Sequence, residues 1–238
     1  AGVSLNNSKN LTISNCKSFV ICTEAIASVN GILLTDVMAN VNISNNQFRT
    51  FKALSACTGI KFDRTALAGS QINININNNI FRDIGDTVGE GVGIHSVSTH
   101  EVLNINNNQF YIIGSSAGVA ARGVNIVGDV NSNTKNNITI IGNNIDTLRQ
   151  GTGIVVDKTL DRCNISNNIV ITNNSSSRGI YLFTAAGTSV SSEVVVSGNC
   201  ISSTTGSLTI GIEADFVSST GDGRFVLSNN VIRGFTQY

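Results

Sequence analysis

Two short signatures recur along the chain at the same interval, and a chain built this way must bury its apolar residues by stacking copies of one unit. The first is an apolar–asparagine alternation that runs into a cluster of asparagines. The stretch from Ile72 to Phe81 reads INININNNIF, and related stretches end at Asn15, Asn46, Asn79, Asn108, Asn144, Asn168, Asn199 and Asn230. The second is Gly followed by Ile or Val, at Gly2, Gly31, Gly59, Gly93, Gly123, Gly153, Gly179 and Gly211. The two interleave, and both advance by about 30 residues per copy.

Each unit reads as short strands. After the glycine comes an alternating stretch such as GIKFD or GIVVD, then a variable connection, then a second alternation such as VNIS or LNIN that enters the asparagine turn. A third apolar pair follows at i and i+3: Phe48/Phe51, Phe81/Ile84, Phe110/Ile113, Ile145/Leu148 and Ile232/Phe235. Period two with β-branched residues is a strand signal, and no segment carries a useful amphipathic helix. Strands this short cannot bury a core within one unit. Paired in parallel with their equivalents at about 4.8 Å, they can. The expected fold is all-β: a right-handed parallel β-helix of eight coils with three strands per coil, forming one domain over residues 1–238. In Ile-Asn-Ile-Asn the Ile points in and the Asn out. The last Asn of each unit is expected at the bend, where it tolerates left-handed backbone and stacks its amide on those above and below as an asparagine ladder.

Composition agrees. Charged residues are 13%, hydrophobic residues 41%, and proline is absent, as suits strands that all donate to neighbouring coils. About one residue in seven is Asn. Basic and acidic residues balance at fifteen each, which argues against a nucleic-acid or anionic-membrane partner. No apolar run reaches the roughly 18 residues of a membrane helix. The five cysteines are scattered without metal-ligand spacing, so neither a disulfide framework nor a metal site is expected, and no cofactor is implied. Asparagine sequons such as Asn42-Ile43-Ser44 fall inside the repeat, where glycans would block stacking. The chain opens on Ala at a glycine marker and stops after an asparagine turn with no capping helix. It is therefore expected to be a slice of a longer protein.

This repeat resembles the right-handed parallel β-helix of the pectate-lyase-like superfamily, over essentially the whole chain. The polygalacturonase motifs are missing, and the proline-containing motif of pectate lyases is impossible here. The Asn/Ser/Thr-rich, proline-poor coils look most like those of bacteriophage tailspikes. That resemblance implies a homotrimer, a carbohydrate polymer as partner, and a location on a virion tail or outside the cell.

Candidate site residues follow from the outward positions two and four after each marker glycine. One group is Asp157, Tyr181, Phe183, Glu213 and Asp215, on three successive coils. Its aromatics suit pyranose faces, and its carboxylates Asp157, Glu213 and Asp215 are candidate acid and base. Asp157 and Asp215 would lie about 9.6 Å apart at the backbone, close to the spacing of an inverting glycosidase. The other group is Lys61, Asp63, Arg64 and His95, a substrate-binding set with the base and cation that β-elimination needs. The glycine-rich acidic stretch Asp86–Gly93 reads as a connection bulging from the stack.

Two functions remain open: a tailspike-like depolymerase acting on bacterial capsule or O-antigen as hydrolase or lyase, and a non-catalytic receptor-binding shaft or adhesin. A plant-wall pectinolytic enzyme is weaker, because its motifs are absent.

Overall fold

A computed structural model describes residues 2–17, 19–22, 28–53, 55–63, 71–85, 90–98, 100–114, 121–127, 137–148, 151–157, 162–173, 177–184, 193–204, 210–216 and 224–234. These residues form strands, turns and bends with no helix among them. Sheet A stacks β1 (Val3–Asn6), β4 (Ser28–Thr35), β7 (Ala56–Asp63), β10 (Glu90–Ser96), β13 (Ala121–Val127), β16 (Gly151–Asp157), β19 (Arg178–Thr184) and β22 (Ile210–Phe216). Sheet B stacks β2 (Lys9–Ser14), β5 (Ala39–Ser44), β8 (Ile72–Asn77), β11 (Val102–Asn106), β14 (Asn137–Ile141), β17 (Arg162–Ser166), β20 (Glu193–Ser197) and β23 (Arg224–Ser228). Sheet C stacks β3 (Phe19–Cys22), β6 (Gln47–Lys52), β9 (Ile80–Ile84), β12 (Gln109–Ile113), β15 (Asn144–Leu148), β18 (Ile169–Thr172), β21 (Cys200–Ser203) and β24 (Val231–Arg233). Every strand pairs in parallel with the strand three places on, which is the topology of a three-sided parallel β-solenoid.

The alternation in the sequence sets the register. Val41, Ile74, Leu103, Ile138, Cys163 and Val194 form one inward column of sheet B; Ile43, Ile76, Ile105, Ile140, Ile165 and Val196 form the next. All of these side chains are buried, while Asn42, Asn75 and Asn104 between them face outward. A one-residue slip would turn both columns to solvent, so this register is strongly specified. In sheet C, Phe48, Phe81 and Phe110 stack face to face, with ring centroids 4.8 and 4.7 Å apart. The i, i+3 spacing of Phe48/Phe51 and Phe81/Ile84 has a local cause. Thr50 and Asp83 adopt left-handed backbone (φ 54° each), which inserts a kink and returns the next residue to the core. Phe235 of the last expected pair lies outside the described residues, as does the side chain of Leu148.

The marker glycines are required by packing. A Cβ on Gly59 would lie 2.5 Å from Phe81 Cδ1 and 2.6 Å from the Gly93 carbonyl oxygen. The glycine column is where the backbone of sheet A approaches the stacked Phe, Ile and Val of sheet C, leaving no room for a side chain.

The asparagine ladder forms, with six of its eight expected members in place. Asn46, Asn79, Asn108, Asn143, Asn168, Asn199 and Asn230 carry it. Each amide from Asn46 to Asn199 donates to the next Asn Oδ1 at 2.8–3.0 Å. Each also donates to a backbone carbonyl of the preceding coil, as Asn79 does to Ile43. Its oxygen accepts from the backbone N–H and the amide of the Asn one coil earlier, as Asn108 does from Asn79. These side chains point inward, and the left-handed residue is the one before: Asn45, Asn78, Asn107, Gly142, Asn167, Gly198 and Asn229. Two of the expected members are therefore shifted. Asn143 rather than Asn144 stacks, because Gly142 takes the bend and Asn144 opens β15. In the first coil Asn15 takes the bend (φ 59°), and Cys16 sits in line, its N–H donating to Asn46 Oδ1. Shorter surface ladders run Asn10–Asn40–Asn73 and Asn75–Asn104.

Cys16, Cys57, Cys163 and Cys200 are free thiols. Cys57 and Cys163 pack in the core, whereas Cys200 is exposed at the start of β21.

Candidate functional site

The described members of both candidate groups lie on the outer face of sheet A. One outward column runs Leu33, Lys61, His95, Asn125, Val155, Tyr181, Glu213. The next holds Asp157, Phe183 and Asp215 in direct register. Parallel pairing puts the equivalent position of each coil over the last, so residues 26 and 32 apart in sequence become neighbours at about 4.8 Å.

Tyr181 and Phe183 project from β19 on the same side, two residues apart. Their ring centroids are 6.0 Å apart with planes 30° from parallel, giving a broad, half-exposed apolar surface. The guanidinium of Arg178 lies 4.8 Å over the Tyr181 ring and forms an ion pair with Glu213 on the next coil. Asp157 and Asp215 stand below and above Phe183 in its column, two strand spacings apart. Partial burial, then the negative charge of Glu213, raise the pKa of the Tyr181 phenol; Arg178 opposes this, and Asp215 and Asp157 add to it. The surroundings of the ring pair are thus net acidic.

Four coils from the ring pair toward the start of the chain, Lys61 bonds to Asp63 at 2.7 Å along β7, and His95 lies directly over Lys61. His95 has its pKa lowered to about 4 by burial, with the Lys61 and Arg122 cations adding and Asp63 opposing. The imidazole is therefore neutral at pH 7. Arg122 pairs with Glu90 on the coil before it. Arg64 lies outside the described residues, as do Asp86–Gly89 of the glycine-rich stretch.

Arg122 and Arg178 escaped the reading of outward positions. Each immediately precedes a marker glycine, as Arg122-Gly123-Val124 and Arg178-Gly179-Ile180. Because the glycine faces inward, the residue before it faces out, and this third outward column runs Asn30, Thr58, Val92, Arg122, Thr152, Arg178, Ile210. The signal is present in the repeat, one residue ahead of the marker glycine.

No family model matches this chain. No curated protein matches it. Among solved structures it is similar to the Streptococcus pneumoniae surface protein and adhesin PfbA, at 15% identity, with a TM-score of 0.49, over 98% of this chain and 67% of that one.

Proposed function

We propose that this chain is a glycan-binding β-solenoid module, of the receptor-binding shaft or adhesin kind, that recognises a bacterial surface polysaccharide outside the cell. The observation that carries this reading is the ring pair Tyr181–Phe183, turned outward on a rigid strand and flanked by Asp157, Glu213 and Asp215. Aromatic faces cover the C–H faces of pyranoses, and the surrounding carboxylates accept their hydroxyls. On a surface built mainly of Asn, Ser and Thr, a half-exposed pair of outward-turned aromatic rings suits glycan recognition. Binding is favoured over cleavage because Glu213 is engaged by Arg178 rather than set against a second carboxylate.

Affinity electrophoresis through gels containing capsular or O-antigen polysaccharides tests the reading. Tyr181→Ala and Phe183→Ala should migrate faster than the parent in the gel that retards it. If both variants are retarded as strongly as the parent, the ring pair is not the binding surface.

A depolymerase is the second reading, favoured by one observation. Asp157 and Asp215 flank Phe183 in one column, about 9.6 Å apart at the backbone, near the upper spacing of an inverting acid–base pair. It requires release of reducing ends from the bound polymer, lost in Asp157→Asn.

A further inference from the structure

Sheet B carries a concave surface, away from the aromatic face of sheet A. A groove of about 530 Å³ crosses β11, β14, β17 and β20. Asn137, Arg162 and Glu193 form one column of its lining, and Thr139, Asn164 and Val195 form another. Four strands give it a length of about 14 Å along the solenoid axis. That volume falls within the range of ordinary ligand sites.

The groove lining carries one cation, Arg162, and one anion, Glu193, and the anion is engaged from outside the groove. Arg162 stands between Asn137 and Glu193 in register, yet Glu193 pairs with Arg224, one coil further on, at 3.6 Å. Among the described residues Arg162 makes no ion pair, and its side chain is exposed. Glu193 is thus offset by Arg224, and one guanidinium is left over. A guanidinium presents a planar fork that matches a carboxylate with two parallel hydrogen bonds. The Thr139 hydroxyl and the side chains of Asn137 and Asn164 line the same groove and suit alcohol groups, while Val195 offers an apolar patch for a sugar C–H face.

We propose that this groove binds an acidic saccharide, with its carboxylate on Arg162 and its ring across Thr139, Asn164 and Val195. The site is separate from the Tyr181–Phe183 face and does not depend on it. An anion alone would use only Arg162, so the polar column beside it distinguishes a hydroxylated acid from a bare one.

Calorimetric titration of the whole chain tests this with three probes: a glucuronate-containing disaccharide, the same disaccharide with its carboxyl reduced to the alcohol, and inorganic phosphate. The acidic disaccharide should bind saturably, more weakly as salt is raised, and the reduced form about tenfold or more weaker. Arg162→Ala should lose a similar factor and Arg162→Lys less, since lysine keeps the charge without the fork. Arg162 is exposed, so thermal melts of its variants should match the parent. Absence of saturable binding, equal binding of the reduced disaccharide, undiminished binding by Arg162→Ala, or phosphate binding as tightly as the disaccharide would each overturn the assignment.

Discussion

Asn108 receives both the backbone N–H and the side-chain amide of Asn79 on its Oδ1, at 2.9 and 3.0 Å, and so joins two coils with one buried group. Its own amide donates to the Ile76 carbonyl at 2.9 Å and to Asn143 Oδ1 at 3.0 Å. Asn108→Ala removes all four bonds and strands buried donors and an acceptor. Each such orphan costs about 1–3 kcal/mol, so the expected loss is about 3 kcal/mol or more. Asn104→Ala removes one bond, to Asn75 on the outer face, and should cost about 1 kcal/mol or less. Denaturant midpoints of the two variants decide this. Equal shifts would mean that the inner ladder contributes no more than the outer one.

Gly59→Ala should destabilise the chain by about 3 kcal/mol, because the new methyl meets the Phe81 ring and the Gly93 carbonyl oxygen together. Trimming the ring in a Gly59→Ala/Phe81→Leu double variant should not restore stability, since the backbone oxygen remains 2.6 Å away. Thermal unfolding checks it, and recovery in the double variant would place the conflict in the side chain alone.

Tyr181 and Glu213 are coupled through charge. The carboxylate opposes ionisation of the phenol, so Glu213→Gln should lower the Tyr181 pKa toward its ordinary value. The freed Arg178 guanidinium, still over the ring, acts in the same direction. Spectrophotometric titration, with a Tyr181→Phe control to isolate the signal, reads the shift. A pKa that rises or stays put in Glu213→Gln would separate the two residues.

Acid should weaken the fold through His100. This side chain is fully buried, lies edge-on to Phe62 and has its Nε2 2.6 Å from Ser96 Oγ. Burial lowers its pKa from 6.5 to about 3. Between those values the unfolded chain binds a proton that the folded chain refuses, so stability is full above pH 6.5 and falls as pH falls toward 3. From pH 7 to pH 4 the loss from this residue is on the order of 3 kcal/mol. His95, lowered to about 4, acts in the same sense over a narrower window. Unfolding free energies measured across this range should slope less steeply in His100→Asn than in the parent.

How much of the site could be read from the chain depended on the reference point within each repeat. Counting two and four residues after each glycine placed Tyr181, Phe183, Glu213 and Asp215 on one face, because strand alternation carries over that short distance. It missed Arg178 and Arg122, because the inward-facing glycine had not been recognised as a packing position that turns its predecessor outward. The bend falls one residue before the expected position for a related reason. Composition shows that asparagine is needed at the bend, yet two adjacent asparagines do two jobs. Only the backbone angles tell which one bends the chain and which one stacks.

The period, the parallel pairing, the inward columns and the need for glycine and asparagine were determined by the sequence itself, since they follow from alternation and repetition that every coil restates. Which charged groups pair was decided by tertiary structure alone. Arg178 with Glu213, Arg122 with Glu90, and Arg224 with Glu193 each join neighbouring coils. The connections between markers vary in length, so separation along the chain does not reveal which side chains of successive coils come within reach. Side-chain electrostatics at close range depends on ångströms that a repeat of about 30 residues does not encode.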